Sequence, residues 1–332
     1  MIEPTLKRNP LSYYPRTMAR RLVDELKHLG YSLFSSYELE FVLVHRDTMK
    51  PVMEDSRMNP DAFQDNKANW SNIALRNSQC SKFSYQVMRQ MAEVGIHFEC
   101  MESESGISQM EFHIEPAFGI RAADDAHTFK LGVKEIARQH GYIASFMSLP
   151  YVEDHMNENV SSLQVNHSIW DAEGKVPLTY DPDKAHSLSD VAEHWLAGIL
   201  EHVRALTILT SPTFNCMKVY TRNADDNRIP HHATWGIENK ETAVRVKVDG
   251  PKSAYFEPRF SGGASHPYIA LAAIIAAGMD GIKRKLPLPP PENVEKGDIP
   301  PGTALNTDDY GRRSAGVTRR QDPNGVIGTR IC

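Results

Sequence analysis

The chain has 332 residues, of which 41% are hydrophobic and 24% are charged, as in soluble globular proteins. This length is enough for one large domain or two ordinary ones, and the formal net charge of −5 gives no indication of a nucleic-acid or membrane-surface partner. No apolar run approaches a membrane span, and the N-terminus does not resemble a signal peptide. The four cysteines lack CxxC spacing and are typical of reduced thiols. We therefore expect a cytoplasmic protein with no nucleic-acid or membrane partner.

Hydrophobic periodicity predicts a helix near the start of the chain, followed by strands. Apolar residues recur at helical spacing over 16–29, and Gly30 ends that helix. The stretch YELEFVLV, 37–44, alternates as a strand does, and a polar irregular segment over 46–80 leads to a short helix near 81–93. We then expect a strand IHFEC, a loop MESESGIS and a second alternating strand, QMEFHIEP.

The second half of the chain is predicted to combine long helices with short strands. Helices are expected over 120–140, 188–209 and 266–284, and strands over about 242–248 and 254–260. Ser187 and Asp190 fit a capping box at the start of the second of these helices. Residues 292–332 are rich in Pro, Gly and charge without periodicity, which predicts a disordered tail.

Two glutamates at the start of the first predicted strand lie on the same face. Glu38 and Glu40 share that face because side chains alternate along a strand, while Leu39, Phe41 and Leu43 share the other. Two like charges this close repel each other, and their burial is unfavourable unless a cation joins them. Either the face is simply solvated, or its carboxylates are part of a cation site.

Further charged side chains on the predicted strands fit a cation site. Glu104 and Glu111 lie seven residues apart across a turn of small residues, and Tyr255, Glu257 and Arg259 share one strand face. Carboxylates that converge from several strands suit hard cations such as Mg²⁺ or Mn²⁺, and neighbouring arginines suit phosphate or carboxylate groups. The spacing alone does not establish that these strands converge.

Six stretches occur along the chain in the following order: ELEF, ESGISQME, SSLQVNHSIW, SPTFNCMKV, ATWGIENKETAVRV and FEPRFSGGASHPYIALAAIIAAGMDGI. Together they closely resemble the catalytic domain of the glutamine synthetase family, from about residue 10 to about residue 291. The resemblance implies an α+β fold with a curved, mainly antiparallel sheet flanked by helices, which forms half of a funnel-shaped active site. It also implies two divalent metal ions, Mg²⁺ or Mn²⁺, that activate ATP and glutamate.

The same resemblance implies roles for individual residues. Glu40, Glu104 and Glu111 match the ligands of one metal ion, and Glu38 and Glu257 match two of the three ligands of the other. Asn159 matches a glutamate-binding asparagine, and Arg245 and Arg259 match arginines near the transferred phosphate and the substrate. Lys240 stands where the family has an arginine and is a further remnant of substrate or nucleotide binding.

Two departures from the family pattern affect the second metal site. The family's histidine ligand is replaced by Gln164, and the next histidine on the same face is replaced by Asn166. His167 points to the opposite face and is no substitute, so we expect an ordinary core or surface histidine there. The Gln164 amide oxygen can still bind a hard cation, so metal binding can persist.

Other departures affect the substrate groups. Val160 replaces a glycine beside the substrate, Val219 replaces the arginine that binds the substrate carboxylate, and Tyr255 replaces another arginine. A hydrogen bond to a charged group contributes about 1.5–3 kcal/mol, so two such losses remove two or more orders of magnitude in rate or affinity. These changes also count against ATP binding.

Four functional hypotheses follow from these residues. The first is a family member that has lost ligase activity and serves a structural or protein-binding role. The second is an ATP- and Mg/Mn-dependent glutamate–ammonia or γ-glutamyl–amine ligase of altered specificity, and the third is a metal- or nucleotide-binding module without turnover. In the fourth, the carboxylates form only a network neutralised by Arg245, Lys247 and Arg259, and no metal binds.

The resemblance also suggests a domain division and partners. We expect a catalytic domain over 1–291, without the β-grasp domain that precedes it in family enzymes, and the tail over 292–332. Family members form stacked rings through the preceding β-grasp domain, so we expect a monomer or weak oligomer for this chain and self-association as a ring if the protein is full length. A cytoskeletal or other protein partner is the expectation for a structural role.

Overall fold

The computed structural model describes the backbone over residues 5–6, 9–52, 78–104, 106–151, 160–220 and 230–292, and side chains over 10–52, 82–104 and the three later ranges. Asn159 and the predicted tail beyond residue 292 lie outside the described residues, as does most of the polar segment predicted over 46–80.

Five of the described helices agree closely with predicted ones, and the short helix Phe214–Val219 was not predicted. They are α1 (Pro15–His28), α2 (Ser78–Glu93), α3 (Arg121–Gln139), α4 (Asp190–Thr210), α5 (Phe214–Val219) and α6 (Pro267–Arg284). Helix α4 begins two residues later than predicted, and its N-cap is Ser189, whose hydroxyl accepts a hydrogen bond from the Ala192 backbone N–H. The predicted capping box of Ser187 and Asp190 is therefore wrong. Ser187 instead lies before the helix with a φ of 53°.

The strands form one large sheet and one small hairpin in the described part of the chain. A two-residue pair, β1 (Thr5–Leu6) and β2 (Asn9–Pro10), lies outside the main sheet. The main sheet contains β3 (Tyr31–His45), β4 (Phe98–Ser103), β5 (Gln109–Ile114), β6 (Ala117–Phe118), β7 (Tyr142–Ser145), β8 (Leu163–Asp171), β9 (Trp235–Ile237), β10 (Val244–Lys247) and β11 (Tyr255–Pro258).

The order of the main sheet is β4-β5-β3-β8-β11-β10-β9, with β6 and β7 also paired to β3. The pairing of β9 with β10 is parallel, and every other pairing in this sheet is antiparallel. The sheet is thus open and mainly antiparallel, with helices flanking it, which confirms the predicted α+β class. Strand β3 is its longest member and pairs with four others, so residues on β3 meet side chains from both halves of the sheet.

The hydrophobic core lies on the face of the sheet that the helices cover. Leu39, Phe41 and Leu43 of β3 are fully buried there. Helix α6 contacts α4, α1 and α3, and its contact with α4 is very close because both helices carry glycine at the crossing. A Cβ built on Gly281 would lie 2.1 Å from the backbone oxygen of His194. In the described part of the chain, no helix combines the length and apolar character needed to cross a membrane.

Candidate functional site

The face of β3 opposite the core presents Glu38 and Glu40, as the alternation predicts. Glu38 pairs with His113 of β5 on one side and with Gln164 of β8 on the other. Glu40 pairs with Glu111 of β5. Side chains directly opposite each other in an antiparallel sheet lie on the same face, so three strands bring their polar groups together here.

Glu40 is buried and accepts three hydrogen bonds. Gln109 donates its side-chain amide at 2.6 Å, the Ser162 backbone N–H donates at 3.2 Å, and the Ser162 hydroxyl donates a further short bond. Burial nevertheless raises the pKa of Glu40 to about 8, and the negative charge of Glu104 adds to this effect. The carboxyl of Glu40 therefore favours a proton, or a cation in the proton's place, at neutral pH.

Glu111 lies at the centre of the acidic cluster, which consists of Glu38, Glu40, Glu102, Glu104 and Glu111. Carboxylate oxygens of Glu102, Glu104 and Glu111 lie within 4.8 Å of one another. Burial raises the pKa of Glu111 well above its ordinary value, and the charges of Glu40, Glu38 and Glu104 raise it further. The cluster thus contains more carboxyl groups than can ionise together, and a divalent cation could take the place of their protons.

Glu38 is contacted from both neighbouring strands. The Asn166 side-chain amide donates to it at 2.5 Å, and Nδ1 of His113 lies 3.5 Å from its Oε1. Burial raises the pKa of Glu38, while the nearby His113 lowers it by a smaller amount.

Unpaired acceptor atoms show that the acidic cluster fits a hard cation. Oε1 of Gln164 and Oδ1 of Asn166 are buried and have no hydrogen-bond partner among the described residues. The amide nitrogen of Gln164 donates to Ser162, whose hydroxyl donates to Glu40, so this amide lies beside the carboxylates. Carboxylate and amide oxygens are the ligands that Mg²⁺ and Mn²⁺ prefer, so the donor set fits either ion.

Glu257 lies on the other side of β8, in a different electrostatic setting. Its carboxylate accepts a hydrogen bond from Arg245 Nη1 at 3.2 Å and a shorter one from Arg259 Nη1. Arg245 also donates to Glu238, so it is held between two carboxylates. Tyr255 lies near these groups, and its pKa is raised by burial and then by the charges of Glu257 and Glu38. This ion-paired group, Arg245, Glu257, Arg259 and Glu238, is electrostatically satisfied where the acidic cluster is not.

The remaining predicted site residues do not join these two groups. Val219 ends α5, is 5% exposed and packs in the hydrophobic core. Lys240 is exposed in the turn between β9 and β10. Val160 is half-buried and packs against the core, and its backbone oxygen accepts a long hydrogen bond of 3.4 Å from Gln109.

Glu102 of the acidic cluster and two neighbours of the cluster, Cys100 and His113, were not predicted as site residues. Glu102 and Cys100 lie on β4, where they pair with Glu111 and His113 of β5. The sequence predicted a loop from residue 101, but β4 continues to Ser103, and this extension brings Glu102 beside Glu111. The alternation of QMEFHIEP places His113 on the same strand face as Glu111, and this pattern could have identified His113 as a site residue.

The fold and the site define an α+β protein built on an open mixed sheet that carries a carboxylate cluster on one face. The family model for "Glutamine synthetase, catalytic domain" matches residues 12–308, and the chain therefore belongs to the glutamine synthetase family.

Relatives with different names are similar to the chain at nearly equal identity. Lengsin of Rattus norvegicus is 30% identical over 279 residues, which are 84% of this chain and 46% of lengsin. The glutamate–isopropylamine ligase of a Pseudomonas species is 31% identical over 281 residues, 85% of this chain and 59% of the ligase. A solved GmaS–ADP complex superposes with a TM-score of 0.71 at 25% identity, covering 86% of this chain and 63% of that one. The chain thus spans about half the length of the curated relatives it matches.

Proposed function

We propose that this chain is a glutamine-synthetase-family protein that has lost ligase activity, keeps a divalent-cation site, and serves a structural or protein-binding role. The proposal separates two properties that depend on different parts of the sheet. The acidic cluster on β3, β4 and β5 supports cation binding, whereas the positions that the family resemblance assigns to substrate support the loss of turnover.

The observation that carries the proposal is the burial of Val219. The resemblance implies an arginine at this position for the substrate carboxylate, but the valine side chain offers no donor and lies in the hydrophobic core. Tyr255 likewise offers a neutral hydroxyl in place of a guanidinium group. Together these losses remove about 3–6 kcal/mol of interaction with charged substrate groups.

The ion-paired group adds a second argument. Arg245 and Arg259 both donate to Glu257, and Arg245 also donates to Glu238, so two carboxylates balance the two guanidinium charges. A phosphate that recruited these arginines would have to displace Glu257, and a cation that recruited Glu257 would have to displace the arginines. Both exchanges reduce net affinity because a buried charge must first lose its partner.

Mg²⁺ or Mn²⁺ is the expected cofactor of the acidic cluster. Glu40, Glu104 and Glu111 would hold one ion, with Glu38 and the amide of Gln164 beside it. When bound, the ion supplies positive charge that can neutralise carboxylates and, in an active enzyme, phosphate oxygens.

The test combines thermal melting with a phosphate-release assay on the purified chain, with an active glutamine synthetase assayed in parallel. We expect Mn²⁺ to raise the Tm, glutamate and ATP to add nothing, and no phosphate to be released. The variant Glu111→Gln should abolish the response to Mn²⁺, while Glu201→Gln on the exposed side of α4 should leave it unchanged. A flat response to Mn²⁺ in the unaltered chain would favour a network neutralised by arginines alone.

The alternative is an ATP- and Mg/Mn-dependent glutamate–ammonia or γ-glutamyl–amine ligase. The observation that favours it is the unpaired acceptors of the acidic cluster, since a site without function would be expected to satisfy them. The 31% identity to a glutamate–isopropylamine ligase supports it as well. Phosphate release that requires glutamate and an amine would establish this alternative and refute the proposal.

The proposed structural role requires a macromolecular partner. Self-association, as a ring in a longer protein, and binding to a cytoskeletal or other protein are the two forms we propose. For this chain we expect a monomer or weak oligomer in light scattering, and a sharp high-mass peak would contradict that expectation. A cytoplasmic location and the absence of nucleic-acid or membrane partners complete the proposal, on the basis of the charge and composition given above.

A further inference from the structure

A second set of metal-binding side chains lies at the outer edge of the acidic cluster, on β4 and β5. Cys100 and His113 are direct cross-strand partners, as are Glu102 and Glu111. One ligand atom each from Cys100, Glu102 and His113 lie within 4.8 Å of one another. This set differs from the acidic cluster because it combines sulfur, nitrogen and oxygen donors.

The two nitrogens of His113 have different surroundings. Nδ1 lies 3.5 Å from a carboxylate oxygen of Glu38, on the inner side of the ring. Nε2 lies 3.3 Å from Glu102 and 3.5 Å from Glu111, yet it is buried without a hydrogen-bond partner among the described residues. Nε2 is thus the ring atom that faces the carboxylates of Glu102 and Glu111. Acceptors that face one another in this way are stabilised by a cation placed between them.

We propose that His113 Nε2, a Glu102 carboxylate oxygen and the Cys100 thiolate bind a transition-metal ion of the Zn²⁺ type. Tetrahedral ligands at the usual Zn–N and Zn–S lengths lie about 3.3–3.8 Å apart, so the three donors need to approach by only about 1 Å. The Cys100 thiol loses its proton to solvent when the ion binds. A water molecule would complete the coordination.

Glu38 lies where metal-bound histidines usually have an outer partner, with its Oε1 3.5 Å from Nδ1 of His113. A carboxylate that accepts the Nδ1 proton fixes the tautomer and the orientation of the imidazole, and it strengthens Nε2 as a ligand. Cys100 is exposed on β4, which is the edge strand of the described sheet, so an ion can enter from solvent.

The donor types distinguish this site from the acidic cluster. Imidazole and thiolate select Zn²⁺ and Co²⁺, whereas carboxylates alone select Mg²⁺ and Mn²⁺. The proposed site therefore stands whether or not the chain has ligase activity. It also leaves the hard-cation site of Glu40 and Glu104 in place.

The test uses Co²⁺ as a spectroscopic probe of the full chain. We expect visible bands of tetrahedral Co²⁺ and a near-ultraviolet thiolate-to-cobalt charge-transfer band, both removed by equimolar Zn²⁺ and unaffected by millimolar Mg²⁺. Cys100→Ser should abolish the charge-transfer band, and His113→Gln should weaken Co²⁺ binding at least tenfold. The matched control is Cys216→Ser, because Cys216 is buried away from this site and its loss should leave the band intact.

Any one of the following results would overturn the proposal. Absence of the charge-transfer band in the unaltered chain, or its persistence in Cys100→Ser, excludes Cys100 as a ligand. Unchanged Co²⁺ affinity in His113→Gln, with an unchanged metal-free Tm, excludes His113. Glu40→Gln separates the two sites: it should weaken the response to Mn²⁺ while leaving the Co²⁺ spectrum intact, and a joint loss of both would mean that only one site exists.

Discussion

Arg259 donates a hydrogen bond to Glu257, which precedes it by two residues, and Arg245 on the neighbouring strand donates to the same carboxylate. The side chain of Glu257 is only 5% exposed, so this one carboxylate compensates two largely buried guanidinium groups. The relationship turns a residue expected to bind metal into the centre of a salt-bridge network. We therefore expect the stability of the sheet to depend on Glu257 when no ion is bound.

Glu257→Gln should therefore destabilise the chain strongly. Removing the carboxylate leaves Arg245 and Arg259 without their shared counter-charge, and breaking a buried ion pair on one side costs about 3 kcal/mol or more. The matched control is Glu238→Gln, which removes another partner of Arg245 but lies at a side chain that is 45% exposed. Because exposed ion pairs contribute about 1 kcal/mol or less, urea unfolding should show a much smaller loss. Equal losses in the two variants would mean that Glu257 does not organise the network.

The pH dependence of stability should reveal the buried carboxyl of Glu40. Its pKa is about 8 in the folded chain and near 4.5 when exposed, so between these values the folded state binds more protons than the unfolded state. The free energy of unfolding must then fall as pH rises, by up to about 2 kcal/mol between about pH 6.5 and pH 8. Urea unfolding in the presence of a chelator measures this slope.

Two comparisons identify Glu40 as a source of that slope. Glu40→Gln should reduce it, because the amide carries no charge at either pH, while Glu111 and Glu38, whose pKa values are also raised, account for the remainder. Saturating Mn²⁺ should reduce it as well, because the ion replaces the proton as the partner of the carboxylate. A metal-free chain whose stability rises over the same interval would show that another group dominates.

The sequence was sufficient to predict where the acidic cluster begins, but not its full membership. The period of two along β3 placed Glu38 and Glu40 on one face and Leu39 and Phe41 on the other, as the structure has them. Glu102 was missed because MESESGIS has the small polar composition of a loop, and local propensity carries no information on pairing with β5. The register shift between Phe98 and Cys100 is likewise a property of the assembled sheet and not of either strand.

Burial was the other property that the sequence did not reveal. The resemblance identified Val219 as a changed position, but only the packing of α5 shows that its side chain lies in the core. Conversely, the preference for serine at helix N-caps could have predicted the N-cap of α4 at Ser189. The capping-box pattern selected Ser187, but the backbone of Ser187, with a φ of 53°, excludes that residue as the N-cap.

The crossing of α4 and α6 should not tolerate a side chain at Gly281. A Cβ there would lie 2.1 Å from the His194 carbonyl oxygen and 2.7 Å from the Gly198 nitrogen, and backbone atoms cannot move aside as flexible side chains do. Gly281→Ala should lower the free energy of unfolding by about 3 kcal/mol, although alanine favours helices. The control is Ala276→Ser on the exposed side of α6, which should change stability by about 0.5 kcal/mol or less. A neutral or stabilising Gly281→Ala would show that the two helices can separate without loss.

His167 should give the chain a second, opposite dependence on pH. It is fully buried, its Nδ1 lies 2.8 Å from the Val165 carbonyl oxygen, and its Nε2 accepts a hydrogen bond from the Trp195 indole at 3.0 Å. With Nδ1–H as donor, both nitrogens of the neutral ring have a hydrogen-bond partner. A second proton on Nε2 would break the hydrogen bond from Trp195. Burial accordingly lowers its pKa to about 4, against 6.5 when exposed.

Between these values the unfolded state binds more protons at His167, so this residue stabilises the chain less as pH falls from about 6.5 toward 4. Glu40 changes the free energy of unfolding in the opposite direction over much of this interval. The total stability therefore conceals the contribution of His167, which must be measured as the difference between the unaltered chain and a variant. His167→Gln keeps an acceptor for Trp195 but does not titrate. The stability of the unaltered chain relative to this variant should therefore shrink by about 1.4 kcal/mol for each pH unit below about 6, as measured by urea unfolding. A constant difference would mean that His167 takes up its proton as readily in the folded chain as in the unfolded one.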